Sequence, residues 1–145
     1  MRRWGVIFGI VLATALVAAG KEVTVEELKT RLASASADDR PSLCVEIAER
    51  QLEAADKLYL QGDSEKAKAA VEDVASYSEQ ARDACARSHK RLKQTEIAVR
   101  KMAHRLRDIK HVVNFEDQAS LDAAIYRLER VRTDLLGAMF GKDTK

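Results

Sequence analysis

Residues 63–113 read DSEKAKAAVEDVASYSEQARDACARSHKRLKQTEIAVRKMAHRLRDIKHVV and contain neither glycine nor proline. Apolar or small side chains recur along this segment at alternating steps of four and three residues and form a seam. The seam consists of Ala67, Val71, Val74, Ser78, Ala81, Cys85, Ser88, Leu92, Thr95, Val99, Met102, Leu106, Ile109 and Val113. A period of about 3.5 held over this length is typical of a helix packed against other helices and excludes a strand. The seam therefore predicts an all-α protein.

Two all-α architectures satisfy this segment. In the first, which we favour, residues 64–113 form one continuous helix of roughly 75 Å, with antiparallel helical hairpins around it. No residue at 88–90 is a strong helix breaker, which favours continuity. In the second, the helix bends near 88–90 and the long segments form a compact four-helix bundle. A continuous helix would leave apolar surface that favours dimerisation.

Three further helices are predicted on either side of the long segment. They cover about residues 24–33, 41–61 and 118–139. Thr24 and Glu27 have the spacing of a capping box at the start of the first helix. Pro41 stands where the first turn of a helix tolerates proline, and Gly62 follows the end of the same helix. The tight connection at Gly62 makes the helices on either side of it antiparallel neighbours.

The composition of the chain supports one helical domain, which we place at residues 20–145. The 145 residues are 33% charged and 46% hydrophobic, but only 5% aromatic. This profile is typical of helices with small aliphatic contacts, whereas a disordered chain would contain fewer apolar residues. One core is expected at this length.

The first nineteen residues differ from the rest of the chain. Arg2 and Arg3 precede an apolar run of 14 residues, from Val6 to Ala19, which ends in small side chains. This pattern predicts a secretory signal peptide at residues 1–19 and therefore a periplasmic or secreted protein. An uncleaved N-terminal anchor is the alternative, although the run is shorter than the roughly 20 residues that span a bilayer. Without the two arginines, basic and acidic residues balance.

The two cysteines, Cys44 and Cys85, are expected to meet. On antiparallel helices joined at Gly62 they differ in height by about one helical turn. In an oxidising compartment such a pair is expected to form a disulfide, and closing this loop would stabilise the fold by about 4 kcal/mol. Two buried free thiols are the alternative. A catalytic thiol is not expected because the helix pairing places no histidine near either sulfur.

The second half of the long segment is strongly basic. Its cationic strip consists of Lys90, Arg91, Lys93, Arg100, Lys101, Arg105, Arg107 and Lys110. One interpretation is structural, because these charges complement the helix dipole and carboxylates of the last helix can neutralise them. The other is a contact strip for anionic lipid, polyanionic envelope material or an acidic partner. Nucleic acid is not expected, since no aromatic side chain lies within the strip to stack on bases.

Catalytic and metal-binding motifs are not evident in the sequence. His104, Asp108 and His111 share one helix face by their spacing, but this face is opposite the seam, and we interpret them as solvated residues. The chain has no phosphate-binding glycine loop, nucleophile elbow or His-Glu metal motif. We therefore predict a non-enzymatic protein without a cofactor or a bound metal.

One segment resembles a known repeat family. Its small and apolar helix-packing positions are Ala55, Leu58, Gly62, Ala67 and Val71. Through these positions residues 48–81 resemble a single tetratricopeptide repeat. Gln51 and Glu79 depart from that pattern, and no second copy follows. The resemblance implies a protein-binding helical scaffold without a stacked solenoid.

Together these features predict an exported, non-enzymatic helical interaction or scaffold protein of the cell envelope. It would bind a protein partner or a second copy of itself. Its expected contact surface is the second half of the seam, consisting of Leu92, Val99, Met102, Leu106 and Ile109. A peripheral binder of anionic envelope surfaces through the cationic strip is the alternative. A small-ligand carrier is less favoured, because few large apolar side chains are available to line a pocket.

Overall fold

A computed structural model describes residues 22–141 of the chain, and the predicted signal peptide at residues 1–19 lies outside this range. Five helices account for most of the described residues. They are α1 (Val25–Ala33), α2 (Arg40–Leu60), α3 (Ser64–Ser88), α4 (Leu92–Val112) and α5 (Phe115–Phe140). The prediction of an all-α protein is confirmed, with no strand between residues 22 and 141. None of these five helices combines the length and the apolar character needed to span a bilayer.

Local capping defines the first helix boundaries. Thr24 Oγ1 accepts a hydrogen bond from the Glu27 N–H at 3.2 Å, which is one half of the predicted capping box. Gly62 has a φ of 79° and reverses the chain between α2 and α3, in a conformation that glycine adopts without steric cost. Asp63 then accepts from the Lys66 N–H at 3.3 Å and caps α3. The hairpin of α2 and α3 follows from these local signals.

The long basic segment is interrupted, because α3 ends at Ser88 and α4 begins at Leu92. His89 and Arg91 both take left-handed conformations, with φ of 57° and 64°. Lys90 N–H donates to Ser88 Oγ at 3.3 Å within the turn. The favoured single helix over residues 64–113 is therefore wrong. The alternative, a bend near 88–90 that produces a four-helix bundle, is the arrangement present.

Helices α2 to α5 form a bundle whose members run alternately up and down, and α1 packs beside α2. The helix α3 contacts α2 and α5 along their lengths, and α5 also packs against α4. The helices α2 and α4 run in the same direction and touch less closely. Within the described chain, α2 and α5 have no Cα atoms within 8 Å of each other. The order around the bundle is therefore α2, α3, α5, α4.

The core explains why the chain turns without a glycine at residues 89–91. One cluster contains buried side chains from all four helices of the bundle, α2, α3, α4 and α5, among them Val71, Leu106 and Leu128. A smaller cluster attaches α1. Full burial of one aliphatic side chain stabilises the fold by about 1.5–3 kcal/mol. A left-handed residue costs about 1–2 kcal/mol. Packing the apolar side of α4 against α5 therefore outweighs the cost of two such residues.

The predicted disulfide is not supported, because Cys44 and Cys85 are free, buried thiols. Cys44 packs in the smaller cluster and Cys85 in the larger one, and the pair is not at disulfide distance. Cys85 Sγ instead lies 3.3 Å from Thr95 Oγ1 of α4. Burial raises the pKa of both thiols, that of Cys44 to about 11. They are therefore neutral and poorly reactive near neutral pH.

Replacing His89 with glycine is expected to stabilise the protein by about 0.5–1 kcal/mol, because glycine adopts the left-handed conformation without a steric penalty. Urea denaturation would measure the change in the free energy of unfolding. In a continuous helix the same substitution would instead cost up to about 0.5 kcal/mol, because glycine has a lower helix propensity than histidine, so its sign separates the two architectures. The matched change in the opposite direction is Gly62→Ala. Gly62→Ala should destabilise the protein because residue 62 has a φ of +79°, where alanine is strained. A steric clash does not contribute, since an added β-carbon there meets no atom within 4 Å.

Candidate interaction face

The predicted contact seam lies inside the bundle. Leu92 is half-buried against the core. The other four members, Val99, Met102, Leu106 and Ile109, are at most 3% exposed. Helices of the same chain cover them, chiefly α5 with a contribution from α2. The contact seam is therefore mainly a packing surface of the monomer, and only Leu92 keeps part of its side chain accessible.

The cationic strip is largely neutralised within the chain. Five members lie within 4.0 Å of a carboxylate, as the pairs Lys90–Asp38, Arg100–Glu96, Arg105–Asp56, Arg107–Glu129 and Lys110–Asp122. Two of these carboxylates, Asp122 and Glu129, belong to α5, as the structural interpretation requires. Arg91, Lys93 and Lys101 are exposed and have no such partner among residues 22–141. The pairing favours the structural interpretation for most of the strip.

A groove runs between α2 and α4, the neighbouring helices that touch least closely. Near the start of the two helices it has a volume of about 560 Å³, and in the middle about 310 Å³. Glu49 and Glu53 line both parts, which makes the groove continuous. Leu52 and Met102 form the floor of its middle part. We call this surface the α2–α4 face. Its outer residues include Glu46, Glu49, Arg50, Glu53, Asp56 and Leu60 on α2, and Gln94, Lys101, Arg105 and Val112 on α4.

The two walls of the α2–α4 face carry mainly opposite charges. Arg50, a cation on α2 that also lines the groove, lies 3.4 Å from the Glu22 carboxylate. An ion pair between Asp56 and Arg105 crosses the groove. Glu49, Glu53 and Lys101 line the same part of the groove, but within residues 22–141 none of the three forms an ion pair across it. Burial and neighbouring carboxylates raise the pKa of Glu49, while Lys101 acts in the opposite direction. The face therefore presents complementary charges that the monomer leaves unpaired.

Three large apolar side chains are exposed where α2 and α4 end and α5 begins. Leu60 is 81% exposed, Val112 78% and Phe115 86%. Leu60 and Val112 line one pocket of about 230 Å³ together with Asn114, the residue before Phe115. We call Leu60, Val112 and Phe115 the apolar end. Single exposed apolar residues are common, but a group of this size and exposure is typical of a contact site.

The pocket beside the apolar end contains two polar groups of the interior. Asp117 is only 5% exposed. Ser64 Oγ donates to its Oδ2 at 3.0 Å, and Lys68 Nζ lies 3.5 Å from its Oδ1. The Tyr59 hydroxyl is buried and has no hydrogen-bond partner among the described residues. Burial, and then the charge of Asp117, raise the pKa of Tyr59. The hydroxyl is therefore protonated near neutral pH.

Replacing Tyr59 with phenylalanine is expected to leave stability unchanged or raise it by up to about 1 kcal/mol, because it removes a buried hydroxyl that makes no hydrogen bond. Calorimetric unfolding would measure the change. Tyr126→Phe is the control, since Tyr126 is 64% exposed, and it should have no effect. A loss above about 1 kcal/mol for Tyr59→Phe alone would reveal a hydrogen bond and contradict the assignment.

The histidines of α4 face solvent. His104 Nε2 lies 3.8 Å from Asp108 Oδ2, and both side chains are well exposed. His111 is also exposed. Among residues 22–141 no three His, Cys, Asp or Glu side chains are placed to hold a metal ion. The position of these residues agrees with their interpretation as solvated side chains.

Sequence reasoning missed both the α2–α4 face and the apolar end. One signal for the face is present in the sequence, because Glu46, Glu49, Glu53 and Asp56 recur at steps of three and four along α2. Without the position of α4, this acidic stripe is indistinguishable from a solvated helix surface. The apolar end has no periodic signal, since it combines residues from the ends of three helices.

No protein-family model matches the chain. No curated protein and no solved structure gives a significant match either. The hairpin of α2 and α3 contains residues 48–81, but many helical pairs share its small-residue contact and glycine turn. The tetratricopeptide resemblance is therefore not supported beyond the presence of a helical hairpin.

Proposed function

We propose that this chain is an exported, non-enzymatic interaction or scaffold protein of the cell envelope, and that it contacts a protein partner through the apolar end. The exposure of Leu60, Val112 and Phe115 at one end of the bundle carries this proposal. The signal-peptide pattern at residues 1–19 supports the exported location. With the seam buried in the core, the apolar end replaces it as the proposed contact surface.

The apolar end has the composition of a binding surface. Covering one large apolar side chain is worth roughly 1.5–3 kcal/mol, so three such residues can supply most of the affinity of a moderate complex. Asp56 and Asn114 line the adjacent pocket and would lie at the polar rim that interfaces usually have. The aromatic ring of Phe115 is the expected anchor, since aromatic side chains dominate interface energetics.

Three substitutions can remove the apolar character while preserving the fold. Leu60 ends α2, Val112 ends α4, and Phe115 begins α5. Leu60→Lys and Val112→Lys place cations at helix C-termini, and Phe115→Glu places an anion at a helix N-terminus. Each charge complements the helix dipole, so the variants should fold with unchanged or slightly higher stability.

Site-specific cross-linking in the producing cells tests the proposal. A photoreactive amino acid at position 115 is expected to form a covalent adduct with a protein, and Leu60→Lys combined with Val112→Lys should abolish the adduct. The control is a photoreactive residue at position 126, which is also exposed but lies outside the apolar end. Equal adducts at both positions, or an adduct that survives the lysine substitutions, would contradict the proposal.

Peripheral binding to anionic envelope surfaces through the cationic strip is the second candidate. The exposed cations Arg91, Lys93 and Lys101, which have no ion-pair partner among residues 22–141, are the observation that supports it. Binding to phosphatidylglycerol–phosphatidylcholine vesicles should then disappear when these three charges are reversed, and it should weaken as salt screens exposed charges. Equal binding to pure phosphatidylcholine vesicles would count against this candidate.

A further inference from the structure

We propose that a second copy of this chain covers the α2–α4 face, in a symmetric dimer whose two-fold axis runs parallel to the bundle. This inference rests on the proposed function, because it names the partner of a surface that includes Leu60 and Val112 of the apolar end. Three observations carry it: the opposite charges of the two walls, their equal heights along the bundle, and the exposed apolar residues at the same end of both helices.

The residues of the two walls lie at matching heights. The helices α2 and α4 run in the same direction and each contains 21 residues. Glu49 and Lys101 each follow the first residue of their helix by nine positions, and Leu60 and Val112 are the last residues of their helices. Each residue on α2 therefore has a counterpart on α4 at about the same level.

The sign of the charges selects the orientation of the two-fold axis. An axis parallel to the helices places α2 of one copy against α4 of the other, and α4 of the first against α2 of the second. Residues at the same height along the bundle then face each other. An axis perpendicular to the helices would place α2 against α2, where acidic residues repel, and α4 against α4, where basic residues repel. Isologous interfaces are self-complementary. Of the two axes, only the one parallel to the helices makes the charges of the α2–α4 face complementary to those of a second copy.

In this arrangement the groups that the monomer leaves unpaired acquire partners. Lys101 of one copy meets Glu49 and Glu53 of the other at the same level. Leu60 of one copy packs against Val112 of the other, and this covers two side chains that are 81% and 78% exposed in the monomer. The contact repeats by symmetry, so each copy contributes both an acidic and a basic wall.

The size of the face predicts a weak, salt-sensitive dimer. Helices of 21 residues are roughly 30 Å long, and two neighbouring helices are roughly 20 Å wide. The contact is then on the order of 600 Å² per copy, below the roughly 800 Å² of a typical specific interface. We expect a dissociation constant on the order of micromolar, which rises at high salt because the charge pairs are accessible to ions.

Charge exchange tests the inference with protein expressed from the full sequence. Sedimentation equilibrium should show a monomer–dimer equilibrium for the unchanged protein. Glu49→Lys and Lys101→Glu should each weaken association at least tenfold, because each variant opposes like charges at both symmetric contacts. An equimolar mixture of the two variants should recover most of the association, because in the mixed dimer the substituted positions 49 and 101 carry opposite charges at one contact and the unchanged Glu49 and Lys101 meet at the other. Only Glu53 then faces a like charge, at the substituted position 101 of the partner copy.

The control is Lys93→Glu, an equal reversal on α4 of a residue that does not line the groove, and it should leave association unchanged. A protein that is monomeric at every concentration would overturn the inference, as would a dimer unaffected by either charge reversal or a mixture that fails to recover. A monomer that still forms a cross-linked adduct from position 115 would overturn this inference alone and leave the proposed function standing.

Discussion

Replacing Val99 with aspartate is expected to unfold the protein. Val99 is fully buried in the larger core cluster, and an unpaired carboxylate there would cost more than about 4 kcal/mol. This is a large share of the 5–15 kcal/mol that stabilises a typical domain. Loss of the helical circular dichroism signal at 25 °C, or a large fall in the melting temperature, would record the effect.

His104→Asp is the matched control, because His104 lies on the same helix with a side chain that is 77% exposed. It should change stability by less than about 0.5 kcal/mol. A Val99→Asp protein that keeps its stability but loses self-association would contradict the core assignment. That result would mean that the seam faces a partner molecule and not the interior of its own bundle.

Replacing Arg132 with methionine is expected to destabilise the bundle measurably, by less than the loss of one partner from a fully buried ion pair. Arg132 Nε donates to Glu96 Oε1 at 2.8 Å, and the Glu96 side chain is only 8% exposed. Breaking a buried ion pair from one side usually costs about 3–5 kcal/mol. The expected loss is smaller here because Arg132 is 34% exposed and Arg100 lies 3.9 Å from the same carboxylate. Urea denaturation would measure it.

The double variant, Glu96→Met with Arg132→Met, is the control for the single substitution Arg132→Met. Replacing both partners of a buried ion pair with apolar side chains is often neutral, so the double variant should be more stable than Arg132→Met alone. Double-mutant analysis then isolates the interaction from the two single effects. A loss below about 0.5 kcal/mol for Arg132→Met would show that Glu96 is solvated and not part of the interior.

The helices that could be predicted are those with local signals at their ends. Gly62 and Pro41 indicate the first hairpin, and the apolar spacing of its residues predicts α5. The turn at residues 89–91 could not be predicted, because His89 and Arg91 take left-handed conformations that are normally found with glycine. The stability of this turn comes from burying α4 against α5, which is a contact between distant parts of the chain.

The candidate contact surfaces could be predicted only in part, for a related reason. An apolar seam has the same pattern whether a partner molecule or a helix of its own chain covers it. The pattern therefore predicts Met102 and Leu106 as contact residues although they lie in the core. The sequence predicts that carboxylates of the last helix can neutralise part of the cationic strip, and Arg107 and Lys110 do pair with carboxylates of α5. Which charges remain unpaired depends on helix packing, which the sequence pattern does not specify.

The distance between Lys66 and His111 tests the folding of α4 back along the bundle, on which both the buried seam and the α2–α4 face depend. Cysteines introduced as Lys66→Cys and His111→Cys would carry spin labels, while the buried Cys44 and Cys85 should remain unlabelled in the folded protein. Both labels lie at the same end of the bundle, so pulsed electron resonance should give a distance below about 30 Å, given helix spacings of about 8–10 Å. A distance of about 65–70 Å, the length of a continuous helix between these positions, would contradict the account.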